Sequence, residues 1–489
     1  MAIETQQHYY GGTWHPSAAE QFTDVVNPAT QELLTQVPDA SADEAEDVIQ
    51  SARAAFPEWR RVPVGTRIQY LFKLKNLLEE HFERISEIVT LENGKTRNES
   101  RGELRRAIEN VEVACGAPML MQGYNLEDIS PGIDETMIRQ PLGVVAAITP
   151  FNFPAMIPFW FLPYAIACGN TFILKPSERV PLTAQYIFEL IHQLDLPPGV
   201  LNLLHGGKAA VNALLSSPDV RAVSFVGSTP VARYIYAQAA SYGKRVQCQG
   251  GAKNHVLILP DADMEMSARI VSDSAFGCAG QRCLAVSVAV TVGEARAGFA
   301  AKIRDAAASI KVGNGLDDSV QMGPVISRES RVRVEDLIHK GVREGAKLIA
   351  ESPSAKDLGA GNFVVPTILD GVAPDSALSS TEIFGPVLST VHVDSVEEGV
   401  KLIAASSYGN AASIFTNSGR AARQFKYEVP TGNVGVNVGV AAPLAYFPFS
   451  GWKDSFFGTL HGQGWDGVAF YTEEKVVIER WPTSWSRKF

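Results

Sequence analysis

The sequence predicts an α/β protein with two doubly wound units and a small β element set apart from them. Three observations carry this reading. From residue 141 onward, short apolar runs at 144–148, 171–174, 200–204 and 223–226 alternate with helix-like stretches such as 182–194 and 209–215. That rhythm marks a parallel sheet covered on both faces. A second series follows at 255–259, 284–292, 347–350, 387–392 and 412–415. Residues 124–140 read as short strands around the turn Ser130-Pro131-Gly132, and residues 470–480 as a strand returning late in the chain.

Ahead of the first series the chain reads as helical. Ser41 with Glu44 forms a capping-box start for a helix running toward Arg60. One longer helix then carries Ile68, Leu71, Phe72, Leu78, Phe82, Ile85 and Val89 on a single stripe. A third helical stretch, 101–121, contains Arg105, Arg106, Glu109 and Asn110, charges that also suit a solvated face. The boundaries divide the chain into a unit of residues 1–123 and 141–250, a second unit of 251–465, and a strand element of 124–140 and 466–489 of the kind that serves assembly.

Composition narrows the function classes. With 489 residues the chain can bury large cores, and its net charge of −10 argues against nucleic acid or an anionic membrane as partner. Residues 1–10 show no signal-peptide pattern, and the apolar stretch 155–168 is interrupted by Pro158 and Pro163 and too short to span a bilayer. Five cysteines, without paired metal-type spacing or a histidine cluster, point to free thiols in a reducing cytoplasm and to no metal site.

Several loops carry residues suited to chemistry. Ala279-Gly280-Gln281-Arg282-Cys283 delivers one cysteine from a stretch rich in small residues, which let something approach the backbone closely. A thiolate there is a strong nucleophile, though a buried apolar cysteine fits the same residue. Pro150-Phe151-Asn152-Phe153-Pro154 frames one amide that can aim at an oxyanion or simply make a turn. Gly227-Ser228-Thr229 opens a helical run, where free N–H groups suit a phosphate or a plain cap. Lys175-Pro176-Ser177-Glu178 leaves a strand and reads either as a ribose and phosphate holder or as a capped helix start. Glu382-Ile383-Phe384-Gly385-Pro386 sets a carboxylate and a ring before a turn.

Taken together and in this order, these five segments resemble the aldehyde dehydrogenase superfamily over nearly the whole chain. The resemblance implies that fold, with NAD bound by residues 1–123 and 141–250 and the nucleophile held in 251–465. It implies that Cys283 attacks the aldehyde carbon and that the Asn152 side chain, with the Cys283 N–H, holds the oxyanion. Lys175 and Glu178 would bind the adenosine ribose and Ser228 the pyrophosphate, with Ser177, Gly227 and Val231 in the same cofactor site. Glu382 would bind the nicotinamide ribose, with Phe384 nearby.

One departure bears on the second half of the reaction. Hydrolytic members place a glutamate before the glycine pair, whereas this chain reads Gln249-Gly250-Gly251-Ala252-Lys253-Asn254. An amide cannot take a proton from water. A thiol such as coenzyme A arrives already nucleophilic as its thiolate. The remaining pattern is similar to the coenzyme A-acylating methylmalonate-semialdehyde dehydrogenases, which release acetyl- or propionyl-CoA with loss of the carboxylate. A carboxylated aldehyde calls for guanidinium groups. Arg282 is placed by its sequence position, and Arg106 is offered by the resemblance with Arg105 one residue away. The resemblance also implies a homodimer or homotetramer. Water-using oxidation of another semialdehyde, such as succinate semialdehyde, and a catalytically silent binding protein are the rival expectations.

Overall fold

The computed structural model describes residues 5–351, 358–374 and 376–482. Residues 1–4 of the stretch read for a signal and residues 483–489 of the expected strand element lie outside them. Both apolar series form sheets. The first sheet runs in the order Thr13–His15, His8–Tyr10, Leu201–Leu203, Thr171–Lys175, Val144–Ile148, Val220–Val226, Arg245–Gln249, Phe456–Gly458. Its five central strands are parallel. Val144–Ile148 comes first in the chain, the next two lie on one side of it and the following two on the other. The switch point therefore falls between Val144–Ile148 and Val220–Val226, where doubly wound sheets open a crevice beyond their carboxyl ends.

The second sheet has the order Lys347–Glu351, Thr367–Asp370, Val387–Val393, Val286–Val292, Asn254–Ile258, Ala411–Phe415, Asn433–Val436. All its pairings are parallel except that of the edge strand Lys347–Glu351. The central strands are buried along their whole length, as the continuous apolar runs require. The strands Arg245–Gln249, Thr367–Asp370, Asn433–Val436 and Phe456–Gly458 escape the sequence reading because they are short and carry polar or glycine residues.

The turn at Ser130-Pro131-Gly132 joins Tyr124–Ser130 to Ile133–Pro141, and the late strand Thr472–Glu479 pairs antiparallel with the latter, from Thr472 opposite Pro141 to Glu479 opposite Asp134. The expected strand segment from 466 begins as helix instead, Gly464–Phe470, which buries Val468 and Phe470.

The N-terminal helices need two corrections. The stripe from Ile68 to Val89 is shared by two helices, Val64–Glu80 and Phe82–Asn93, broken at His81. His81 Nδ1 pairs with the Tyr186 hydroxyl at 2.8 Å. The period survives so short an interruption, and Phe72 falls off the stripe at 47% exposure. The third helix starts earlier than read, at Arg97–Cys115, because Thr96 and Glu99 form a capping box. A separate short helix, Ala117–Leu120, follows.

That third helix positions the site. Its Glu103 is buried, and Oε2 accepts from Lys95 Nζ at 2.6 Å while Oε1 accepts from the amides of Ala155 (2.7 Å) and Met156 (3.0 Å). Lys95 Nζ also donates to Asn152 O at 2.6 Å and sits 4.0 Å from the centre of the Phe153 ring. The loop carrying Asn152 thus rests on a buried, fully bonded ion pair. Glu103→Ala leaves Lys95 charged and uncompensated, and urea denaturation is expected to show a loss of about 3–5 kcal/mol. A loss below about 1 kcal/mol would show that the pair does not support the loop.

Candidate active site

The cysteine loop is built by a strained turn. Helix Met264–Phe276, capped by the Asp263 carboxylate, ends at Phe276. The chain then takes three left-handed residues in a row, Cys278 (φ 51°), Ala279 (φ 51°) and Gly280 (φ 70°). Each non-glycine residue there costs about 1–2 kcal/mol. Gly280 cannot be replaced: a Cβ would lie 2.0 Å from Gly385 O. The small residues of the motif therefore serve a close approach between the Cys283 and Glu382 loops.

Beyond the turn the backbone is clamped. Asn152 Nδ2 donates to Gln281 O at 3.0 Å, and Gln281 Oε1 accepts from Ile326 N at 3.0 Å. The Cys283 carbonyl accepts from Asn254 Nδ2 (2.7 Å) and from Asn410 Nδ2 (2.8 Å). Asn254 also bonds Ala285 O at 2.9 Å and Ala411 N at 3.1 Å. The sequence reading quotes Asn254 without a role and misses Asn410, which reaches this loop from the start of another strand.

Cys283 lines two cavities. The larger, about 950 Å³, is the crevice of the first sheet and is lined by Asn152, Lys175, Ser177, Glu178, Gly227, Ser228, Val231, Glu382 and Phe384. All eight residues expected at a cofactor are brought to this one cleft. Lys175 Nζ lies 3.3 Å from Glu178 Oε2. Burial pushes the Glu178 carboxyl up, but Lys175, a backbone N–H and Arg179 together hold the group below its usual range. Burial likewise lowers the Lys175 ammonium, against the opposing pull of Glu178.

The segment after Lys175 does not begin a helix as one reading had it. Ser177 Oγ accepts from Arg179 N (3.3 Å) in a local turn, and the helix Leu182–His192 starts later, its first amides bonded by Glu92 from another helix. Ser228 is the N-cap residue of Thr229–Ser241, yet its hydroxyl makes no capping bond. Thr229 Oγ1 instead donates to Asp454 O (3.2 Å) and accepts from Gly251 N (2.8 Å), tying the helix start to the glycine pair.

On the opposite wall, Glu382 Oε1 accepts from Ala252 N at 2.8 Å, and Arg333 donates to the carbonyls of Glu382 and Ile383. Phe384 takes φ 55° and meets Phe151 edge-on at 5.9 Å. Burial pushes the Glu382 carboxyl up. Lys253, which the sequence reading quotes without a role, is buried, its Nζ has no hydrogen-bond partner among the described residues, and burial pushes it down to about 7.

The smaller cavity, about 290 Å³, holds Arg106 and Arg282 among Phe153, Met156, Trp160 and Phe449. Of the two adjacent arginines, Arg106 lines this cavity and Arg105 points outward in a two-bond pair with Glu79, at 2.6 and 3.0 Å. Arg106 Nη1 pairs with Glu109 at 3.0 Å. Arg282 Nη2 caps the preceding helix through Asp273 O and Ser274 O, while its buried Nε has no hydrogen-bond partner among the described residues. Gln249 stands apart. It is buried at the end of its strand and lines neither cavity. Oriented by its neighbours, its amide donates to Phe225 O and accepts from Gly462 N, both at 3.1 Å.

A half-buried thiol between a nucleotide-sized cleft and a small cavity with two guanidinium groups is equipped for covalent attack on a small anionic carbonyl compound. The chain belongs to the aldehyde dehydrogenase family, whose model matches residues 14–477. Among its relatives, malonate-semialdehyde dehydrogenase 2 of Geobacillus kaustophilus (strain HTA426) is 48% identical over 98% of this chain and 99% of its own length. The methylmalonate-semialdehyde dehydrogenase (DddC) of Oceanimonas doudoroffii superposes with a TM-score of 0.97 at 44% identity, over 99% of both chains. A putative methylmalonate-semialdehyde dehydrogenase of Sinorhizobium meliloti 1021, complexed with NAD, gives 0.96 at 41% identity, again over 99% of both.

Burial, reinforced by Glu382, pushes the Cys283 thiol up to about 12. Below that value the neutral thiol dominates, and the thiolate fraction rises about tenfold per pH unit. Alkylation of the ligand-free enzyme by iodoacetamide should climb by about tenfold per pH unit, about a hundredfold from pH 7 to 9, without levelling. A plateau near neutrality would show a thiolate already formed.

Proposed function

We propose that this chain is an NAD-dependent, coenzyme A-acylating dehydrogenase of malonate or methylmalonate semialdehyde. The observation that carries the reading is Cys283 in the wall of both the cofactor cleft and the arginine-bearing cavity, with an amide at position 249. The names of the relatives support the same substrates.

Cys283 Sγ, once deprotonated, attacks the aldehyde carbon. The second hydrogen of the Asn152 amide and the Cys283 N–H receive the oxyanion, stabilising charge as it develops. The cleft residues suit NAD: an exposed valine wall at Val231, the uncapped Ser228 at a helix start, and carboxylates at either end for ribose hydroxyls. Glu178 would repel a 2′-phosphate, which favours NAD over NADP. NAD, when bound, supplies the acceptor for the hydride that leaves the tetrahedral adduct. A thioester remains on Cys283.

Gln249 has no basic lone pair, and both ends of its amide are engaged. Deacylation by the thiolate of coenzyme A follows, with loss of the substrate carboxylate as carbon dioxide. Arg106 and Arg282 anchor that carboxylate. A homo-oligomer is part of the same proposal, since the separate sheet leaves Tyr124, Leu126, Ile138, Val476 and Ile478 exposed. No helix among the described residues is long and apolar enough to cross a membrane.

Formation of NADH from malonate semialdehyde should continue through many turnovers only when coenzyme A is present, with acetyl-CoA identified by mass spectrometry. Equal steady rates in its absence would support the water-using rival, and no burst of NADH would support the silent one. Arg106→Leu should lower kcat/KM for the carboxylated semialdehyde by about tenfold to a hundredfold, the loss of a charge-assisted pair, and leave propanal nearly unchanged. Equal losses for both would remove the anchoring role.

A further inference from the structure

A second groove adjoins the cofactor cleft and has no part in the chemistry described so far. Its volume is about 940 Å³, and it runs along helix Arg328–Arg343. Arg328, Arg333, Lys340 and Arg343 line it, with Glu329 and Asp336 as the opposing charges. Arg333 and Thr381 line both this groove and the cofactor cleft. The two spaces therefore share a wall at these residues, next to Glu382.

The sequence explains the basic face. Residues seven apart lie on one side of a helix, so Arg333 and Lys340 share a face, about 10 Å apart along the axis. Asp336 and Arg343 fall beside them. Glu329 lies 3.8 Å from Arg179, and Lys340 only 3.8 Å from Glu344. Among the described residues, neither Arg328 nor Arg343 has a carboxylate within ion-pair distance. Val332, at 47% exposure, and Leu337 supply an apolar floor between the cations. Cations around an exposed aliphatic floor suit a phosphorylated base, with the charges on phosphate oxygens and the ring against the aliphatic groups. In a chain of net charge −10 this excess of cations is local.

We infer that this groove receives the 3′-phosphorylated ADP end of coenzyme A. The inference rests on the acylating function proposed above. With the nucleotide on helix Arg328–Arg343, the pantetheine arm passes Arg333 and Thr381, follows the Glu382 wall and brings its thiol to Cys283. The nucleotide half of the NAD cleft, around Lys175 and Glu178, takes no part in holding it.

The test compares Lys340→Glu/Arg343→Glu with the parent enzyme, at saturating NAD and malonate semialdehyde and with varied coenzyme A. The expected result is a KM for coenzyme A raised roughly tenfold. The KM for NAD and the NADH burst should not change, and the burst also reports a folded enzyme. The KM for pantetheine, which lacks the nucleotide, should not change either. Lys340→Gln/Arg343→Gln should show a smaller rise in the same direction and covers a charge reversal that disturbs the helix end. Calorimetric titration of 3′,5′-ADP into the NAD-saturated parent enzyme should show binding that both variants weaken.

An unchanged KM for coenzyme A, an equal rise for pantetheine, or no 3′,5′-ADP binding in the presence of NAD would overturn the groove assignment. Failure of the acylating function itself is seen separately, as coenzyme A-independent turnover in the parent enzyme.

Discussion

The site depends on three loops from different sheets meeting at bonding distance. The Asn152 loop leaves the carboxyl end of a strand in the first sheet, and the Cys283 loop precedes the amino end of a strand in the second. Asn152 Nδ2 bonds Gln281 O across that boundary. Gly280 then brings the Cys283 loop against Gly385, so close that no side chain fits between them. The left-handed turn through Cys278 and Ala279 is the conformational cost of this arrangement. The buried pair Lys95–Glu103 supports the Asn152 loop from the helical side.

Burial has opposite consequences on the two sides of the sulfur. It raises the Cys283 thiol and Glu382 while lowering Lys253 and Lys175. A low-dielectric surrounding also strengthens the amides that would face an oxyanion. Gln249 fits this setting as a neutral group. Its two amide bonds are satisfied by backbone, so nothing there demands a charge or a proton acceptor.

Much of this was legible in the sequence because the chemistry sits on short contiguous motifs at strand ends. The five segments around Asn152, Lys175, Gly227, Cys283 and Glu382 do converge on one cleft, and periodicity locates most strands of both sheets. What was not legible depends on distance or on a single residue. Asn410 reaches Cys283 only through the fold. Arg105 and Arg106 differ by one step around a helix, which sends one to Glu79 outside and the other to the cavity. The break at His81 keeps the apolar period intact and so leaves no trace in it. The larger cleft opens beyond carboxyl ends of strands in the first sheet, whereas Cys283 lies at an amino end in the second.

The late pairing of two strands has a consequence for synthesis on the ribosome. Phe456–Gly458 closes the edge beside Arg245–Gln249, and Thr472–Glu479 pairs with Ile133–Pro141. Each partner emerges long after the strand it covers, so the nascent chain carries two open sheet edges until its last segments appear. Such edges attract other strands. A chain ending before residue 456 would lose both covers while keeping every one of the five site motifs, and its failure would be insolubility rather than faulty chemistry.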